Sequence, residues 1–150
     1  MRKFILSLLA VAVLGTGSAF AQSGVWAGLS AGWPGAGLHF GVENVVAGLD
    51  VRANVNATYG LAFGLGADVL YGLDLDTGVV ALDTYVGGGL NAILGGAFGL
   101  GINAFGGIEY RLGEIGLPQG GVFLEVGPSV LVVPAFAFGV GARLGFNYHF

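Results

Sequence analysis

Residues 136–150 read FAFGVGARLGFNYHF, and every second position carries an apolar or aromatic side chain: Phe136, Phe138, Val140, Ala142, Leu144, Phe146, Tyr148 and Phe150. Between them lie Ala137, Gly139, Gly141, Arg143, Gly145, Asn147 and His149. Strand side chains alternate between two faces, so this stretch has one continuous greasy face and one small or polar face. It extends over roughly 50 Å. Most strands of soluble domains are shorter.

The same period of two runs upstream. Alternating segments occur at 25–33, 36–42, 47–55, 59–71, 80–92, 98–110 and 122–132, with breaks at 34–35, 43–44, 56–57, 72–78, 94–96, 113–121 and Pro134. Gly, Pro, Asn and Asp dominate these breaks, as turn geometry requires. Eight strands of about ten residues fit the length available, and ten would leave too little for turns.

Charge tests the phase that hydrophobicity set. Glu43, Asp50, Arg52, Asp68, Asp83, Glu109, Arg111, Glu125 and Arg143 all fall opposite the greasy face, while Asp74, Asp76 and Glu114 fall in turns. An Arg or Lys facing lipid at the bilayer midplane costs about 2–4 kcal/mol, so a membrane barrel demands this segregation. A soluble sheet would put its charges on the solvent face instead.

The N-terminus reads as a secretory signal. Arg2 and Lys3 form the basic region, residues 4–14 the apolar region, and Ala19-Phe20-Ala21 an A-x-A cleavage site. The apolar run is short of the roughly 20 residues that a spanning helix needs. Residues 1–21 are therefore expected to be removed, leaving a barrel domain over 22–150.

Composition narrows the function classes. Past the signal, nine acidic side chains face Arg52, Arg111 and Arg143, so no basic patch exists for nucleic acid. There is no cysteine, which removes disulfide, thiolate and zinc-thiolate chemistry. Hydrophobic residues make up 55% and charged ones 9%, high apolarity for a soluble domain, yet no apolar run past the signal is long enough for a spanning helix. The 31 glycines alternate with Leu, Val, Ala and Phe, unlike a flexible linker, and their period of two argues against a glycine-zipper helix.

The terminal strand with its final aromatic resembles the C-terminal signature of bacterial outer-membrane β-barrels, and the whole mature pattern resembles the small OmpA/OmpX-like barrels. The resemblance implies an all-β, eight-stranded antiparallel up-and-down transmembrane β-barrel in the outer membrane of a diderm bacterium. Leu144, Phe146, Tyr148 and Phe150 would then be the signal read by the barrel-assembly machinery. Outer-membrane lipids and the secretion machinery would be the other partners. With both termini in the periplasm, Tyr71, Tyr110, Tyr148 and Phe150 cluster at one rim and Trp33, Tyr59, Phe98 and Phe136 at the other, as interfacial girdles do.

The inward face mixes Gly with Trp26, His39, Arg52, Leu70, Tyr85, Phe105, Arg111, Phe123, Leu131 and Arg143, the way a narrow barrel fills its lumen. A hairpin centred on Pro134 sets Arg143 opposite Glu125, and the preceding hairpin sets Glu125 beside Glu109. The expectation is an Arg143 network with both acids. Similar arithmetic places Asp68 near Asp83 and His39 near Asp50. These read as a lumen network rather than a catalytic site, and no metal or cofactor is expected.

Enzymatic eight-stranded barrels share only architecture with this chain. Lipid A deacylases carry His-x-Ser, whereas His39 precedes Phe40-Gly41 and His149 precedes Phe150. Palmitoyltransferase barrels use long outer loops that this chain lacks. The expected role is structural, in envelope integrity, with a plugged lumen and no catalysis. The alternative is a narrow, porin-like channel or carrier for small, cation-favoured solutes. A soluble exported barrel holding an apolar ligand is a third reading, and it requires the greasy face to point inward.

Overall fold

The computed structural model describes residues 24–60, 62–73, 75, 78, 82–95 and 98–150. The signal segment and the turn acids Asp74 and Asp76 lie outside them. Among the described residues, eight strands pair in chain order and close into one barrel. They are β1 (Val25–Trp33), β2 (Gly35–Val46), β3 (Leu49–Thr58), β4 (Phe63–Leu73), β5 (Leu82–Leu94), β6 (Gly99–Arg111), β7 (Gly120–Val133) and β8 (Ala137–His149). Each pair is antiparallel, including the closing pair of β1 and β8, so no edge strand remains.

The greasy faces point outward. Leu38, Leu90, Phe138 and Leu144 are each more than half exposed, while Arg52, Asp68 and Glu125 are almost completely enclosed. The soluble reading with an apolar interior is thereby corrected: the charges hold the inside.

Glycine makes that interior possible. Trp26 pairs with Gly41, Phe105 with Gly87, Tyr85 with Gly107 and Phe123 with Gly145. A Cβ at any of these glycines would collide with the ring beside it. Each large lumen ring thus lies across a glycine on the neighbouring strand, which keeps a narrow barrel closed around bulky groups.

The expected strand phases match the structure, but several turns move. The expected break at Glu43-Asn44 is instead a bulge inside β2, with the register shifting between Val42 and Val46 and Asn44 at φ 53°. The turn falls at Ala47-Gly48, closed by Val46 and Leu49, and both turn residues have positive φ. Asp50 helps hold the bulge by accepting a 2.8 Å hydrogen bond from the Asn44 backbone N–H. At Asn56-Ala57, too, the strand continues, since β3 runs to Thr58.

Candidate functional site

The lumen is crossed at mid-height by a layer of four charged side chains supplied by β3, β4, β7 and β8. Arg52 on β3 lies directly opposite Asp68 on β4. Its Nε and Nη2 donate to Asp68 Oδ2 at 3.0 and 2.8 Å, and its Nη1 donates to Glu125 Oε1 at 2.6 Å across the barrel. Glu125 on β7 lies opposite Arg143 on β8 and accepts from its Nε at 2.5 Å. Tyr85 Oη adds a 2.8 Å hydrogen bond to Glu125, and Asn54 Nδ2 donates to Asp68 at 2.9 Å.

Two guanidiniums and two carboxylates make this layer neutral overall. Phe105 stacks near both cations, with Arg52 and Arg143 Cζ at 5.0 and 5.5 Å from its ring centroid. Trp26 and Phe123 complete the packing through His39, whose ring lies edge-on to each at 5.3 and 5.4 Å. Burial of charge is tolerated only with such complete pairing, because a lone buried ion costs several kcal/mol.

A second cluster lies towards the rim that carries the chain ends. Glu109 Oε1 receives His149 Nε2 at 2.8 Å, and Glu109 Oε2 accepts from Asn147 Nδ2 at 2.6 Å. His149 Nδ1 lies 3.1 Å from Glu43 Oε1, and Arg111 Nε donates to Asp83 at 2.7 Å. His39 Nε2 lies 2.7 Å from Asn147 Oδ1, which links the cluster to the rings of the central layer.

Three expected partnerships are corrected. Arg143 meets Glu125 and, at 3.6 Å, Asp68, but not Glu109, because β6 pairs Gly107 with Glu125 and Glu109 with Phe123. Asp68 lies opposite Gly89, whereas Asp83 faces Glu109. His39 lies opposite Asn54, since the β2–β3 turn is later than expected. In each case the hairpin centre moved by one to three residues, which slides the pairing by an even number. The face is kept and the partner changes.

Arg52 rather than Arg143 occupies the centre: it is 1% exposed and holds both acids, whereas Arg143 is 20% exposed. Sequence reasoning passed over Asn54, Asn103 and Asn147, which donate to the enclosed acids, the first two to Asp68 and the third to Glu109. Their inward phase was the available signal, but asparagine is more familiar as a turn residue.

The layer divides the lumen into two vestibules. One, of about 250 Å³, opens towards the hairpin rim at Trp33, Pro34 and Thr58 and has Arg143 and Phe105 at its floor. The other, of about 380 Å³, contains Glu43, Asp50, Asp83, Glu109, Arg111 and His149. Outside, Trp33, Tyr59, Phe98 and Phe136 stand exposed at the hairpin rim, where the Trp33 and Tyr59 rings are 6.2 Å apart. Tyr71, Tyr110, Tyr148 and Phe150 stand towards the other rim, where the last two rings are 5.1 Å apart. Leu144, Tyr148 and Phe150 are exposed on the outer face that they share with the less exposed Phe146.

No protein-family model and no curated protein matches the chain. Solved structures do. Neisserial surface protein A (NspA) aligns with a TM-score of 0.53 at 14% identity, covering 85% of this chain and 96% of that one. The N-terminal β-barrel domain of Pseudomonas aeruginosa OprF aligns with a TM-score of 0.53 at 13% identity, covering 85% and 96%. A de novo designed transmembrane β-barrel aligns with the same score at 16% identity, covering 85% and 94%. At such identities the likeness is one of fold, and the chain has the closed eight-stranded antiparallel fold of the small transmembrane β-barrels.

Proposed function

We infer that residues 22–150 form an integral outer-membrane barrel of a diderm bacterium, delivered by the signal at 1–21 and inserted among outer-membrane lipids by the barrel-assembly machinery. Its role is structural, in envelope integrity, without catalysis. The observation that carries this reading is the segregation of the wall: Glu125 is 2% exposed, and its neighbour Val126, one residue along and on the other face, is 55% exposed. An apolar exterior of this extent has water as a poor solvent and hydrocarbon as a good one.

The central layer supports a closed lumen. Arg52, Asp68 and Glu125 are almost completely enclosed at mid-height, and Phe123 and Trp26 fill the space beside them. The histidines support a non-catalytic reading, since His39 bonds Asn147 and His149 bonds Glu43 and Glu109, with no serine among their partners in the described residues.

A narrow cation path is the second reading, favoured by the four acids against Arg52 and Arg111 in the larger vestibule. Planar-bilayer recording of the refolded chain separates the two. The structural reading expects no discrete conductance steps. Regular cation-selective steps would replace it with the channel. Detergent-extracted protein should also show heat-modifiable gel migration, and a soluble fraction without a mobility shift would remove the membrane reading altogether.

A further inference from the structure

The last residue of β8 carries a ring that meets an acid on each side. His149 Nδ1 lies 3.1 Å from Glu43 Oε1 on β2, and its Nε2 lies 2.8 Å from Glu109 Oε1 on β6. These strands are the second neighbours of β8 in either direction, reached over β1 and over β7. The β1–β8 pair is the one seam of the barrel that no connecting segment joins, so the ring ties both flanks of that seam. Backbone pairing aims it. His149 lies opposite Trp26 on β1, and its N–H donates to the Gln119 carbonyl at 2.8 Å. Glu43 is fixed likewise, its N–H donating to the Gly24 carbonyl at 2.8 Å.

A carboxylate at each nitrogen decides which protonation state completes both contacts. Neutral imidazole has one N–H and turns a ring lone pair towards the other acid, whereas imidazolium donates from both nitrogens. Glu109 is held as an acceptor, since Asn147 Nδ2 donates to its Oε2 at 2.6 Å and Arg111 Nε lies 3.4 Å from its Oε1. The surrounding charge favours the cation too. Asp50 from β3 and Asp83 from β5 join Glu43 and Glu109 around the larger vestibule. Against them stand Arg111, paired with Asp83 at 2.7 Å, and Arg52, already held by Asp68 and Glu125. Among the described residues, β1 offers His149 the uncharged Trp26 ring at 6.3 Å, and β7 places Gly121 beside Glu109. His39 on β2 meets Asn147 rather than either acid.

We propose that His149, Glu43 and Glu109 form a proton-operated clasp across the closing seam of the barrel, engaged at both acids while the imidazole is charged and released from one of them when it is neutral. The folded barrel holds the protonated ring. The clasp therefore stabilises the barrel on the acid side of histidine titration, and that contribution is lost as pH rises through the titration. It does not depend on whether the central layer conducts, so conductance and clasp fail separately.

The first measurement is ¹⁵N NMR of the untagged mature chain, refolded in detergent micelles with ¹⁵N-labelled histidine, with His149→Gln assigning the two rings. Both His149 nitrogens should carry protons at about pH 6, and one proton should be gone by about pH 8.5, across the range in which histidine changes charge. Glu43→Gln and Glu109→Gln should each lower the midpoint of that change. The second measurement is urea unfolding in lipid vesicles. Between the same two pH values the unfolding equilibrium constant of the wild-type chain should rise about tenfold relative to that of His149→Gln, because linkage turns a preference for the protonated ring into an equal change in that constant. Heat-modifiable migration verifies that each variant closes; if His149→Gln does not, His39→Gln assigns the rings and the titration decides. A His149 ring with a single proton at about pH 6, a midpoint that neither Glu→Gln variant moves, or the same pH dependence in the wild type and His149→Gln would overturn the clasp.

Discussion

Replacing Arg52 by methionine destabilises the folded barrel by about 3–5 kcal/mol, the cost of leaving a buried ion pair without one partner. Two carboxylates depend on this one guanidinium. Asp68 and Glu125 are 1% and 2% exposed, and Arg52 donates to both. Without it Asp68 keeps only the distant Arg143 and the Asn54 and Asn103 amides. Arg143→Met should cost clearly less, because Glu125 then retains Arg52 and Tyr85. Combining Arg52→Met and Arg143→Met with Asp68→Leu and Glu125→Leu should recover part of the loss, since an apolar layer of similar volume needs no charge pairing. Urea unfolding of the refolded barrel in lipid vesicles measures all of these. Equal losses for Arg52→Met and Arg143→Met would contradict the central place given to Arg52.

The second large effect lies on the other side of the same wall. Val126→Arg should destabilise the barrel in lipid by about 2–4 kcal/mol, whereas Tyr71→Arg at the rim should cost about 0–1 kcal/mol. Val126 neighbours Glu125 in sequence and lies between Gly106 and Ala142 in the sheet, far from either rim. Were this face in water, an exposed Val→Arg change would stay within about 0.5 kcal/mol. The depth dependence therefore decides what solvent the outer face meets. The readout is the same vesicle unfolding experiment, and equal small effects at Val126 and Tyr71 would count against lipid contact.

The architecture was legible in the sequence because strand faces alternate with a period of two, and an error in turn position rarely breaks that alternation. Phe138, Val140 and Leu144 could be assigned outward, and Arg143 and Glu125 inward, from residue order alone. Pairing across Pro134 was equally accessible, since a proline-centred short turn leaves little freedom: Glu125 does oppose Arg143. Elsewhere partners were hidden by the hairpin centres. The bulge at Asn44 and the later turn at Ala47-Gly48 carried His39 past Asp50 to Asn54. Extension of β4 to Leu73 paired Asp68 with Gly89 and left Asp83 to Arg111.

The central role of Arg52 was hidden for a different reason. Its link to Glu125 joins β3 to β7 across the lumen, and no local pairing rule reaches across a closed barrel. Glycine, in contrast, could be read as small beside large, but which ring each glycine accommodates follows only from register. Gly41 beneath Trp26 and Gly145 beneath Phe123 show how strictly those positions are constrained.

A native chain without cysteine permits single-cysteine labelling, which gives the most direct test of the membrane barrel. Spin labels placed one at a time along β8 in lipid vesicles should show oxygen accessibility that alternates with period two. It should be high at Phe138, Val140, Ala142 and Leu144 and low at Gly139, Gly141 and Arg143. Loss of that alternation, or access of a water-soluble relaxing agent to all the outward positions, would contradict a barrel whose greasy face lies in lipid.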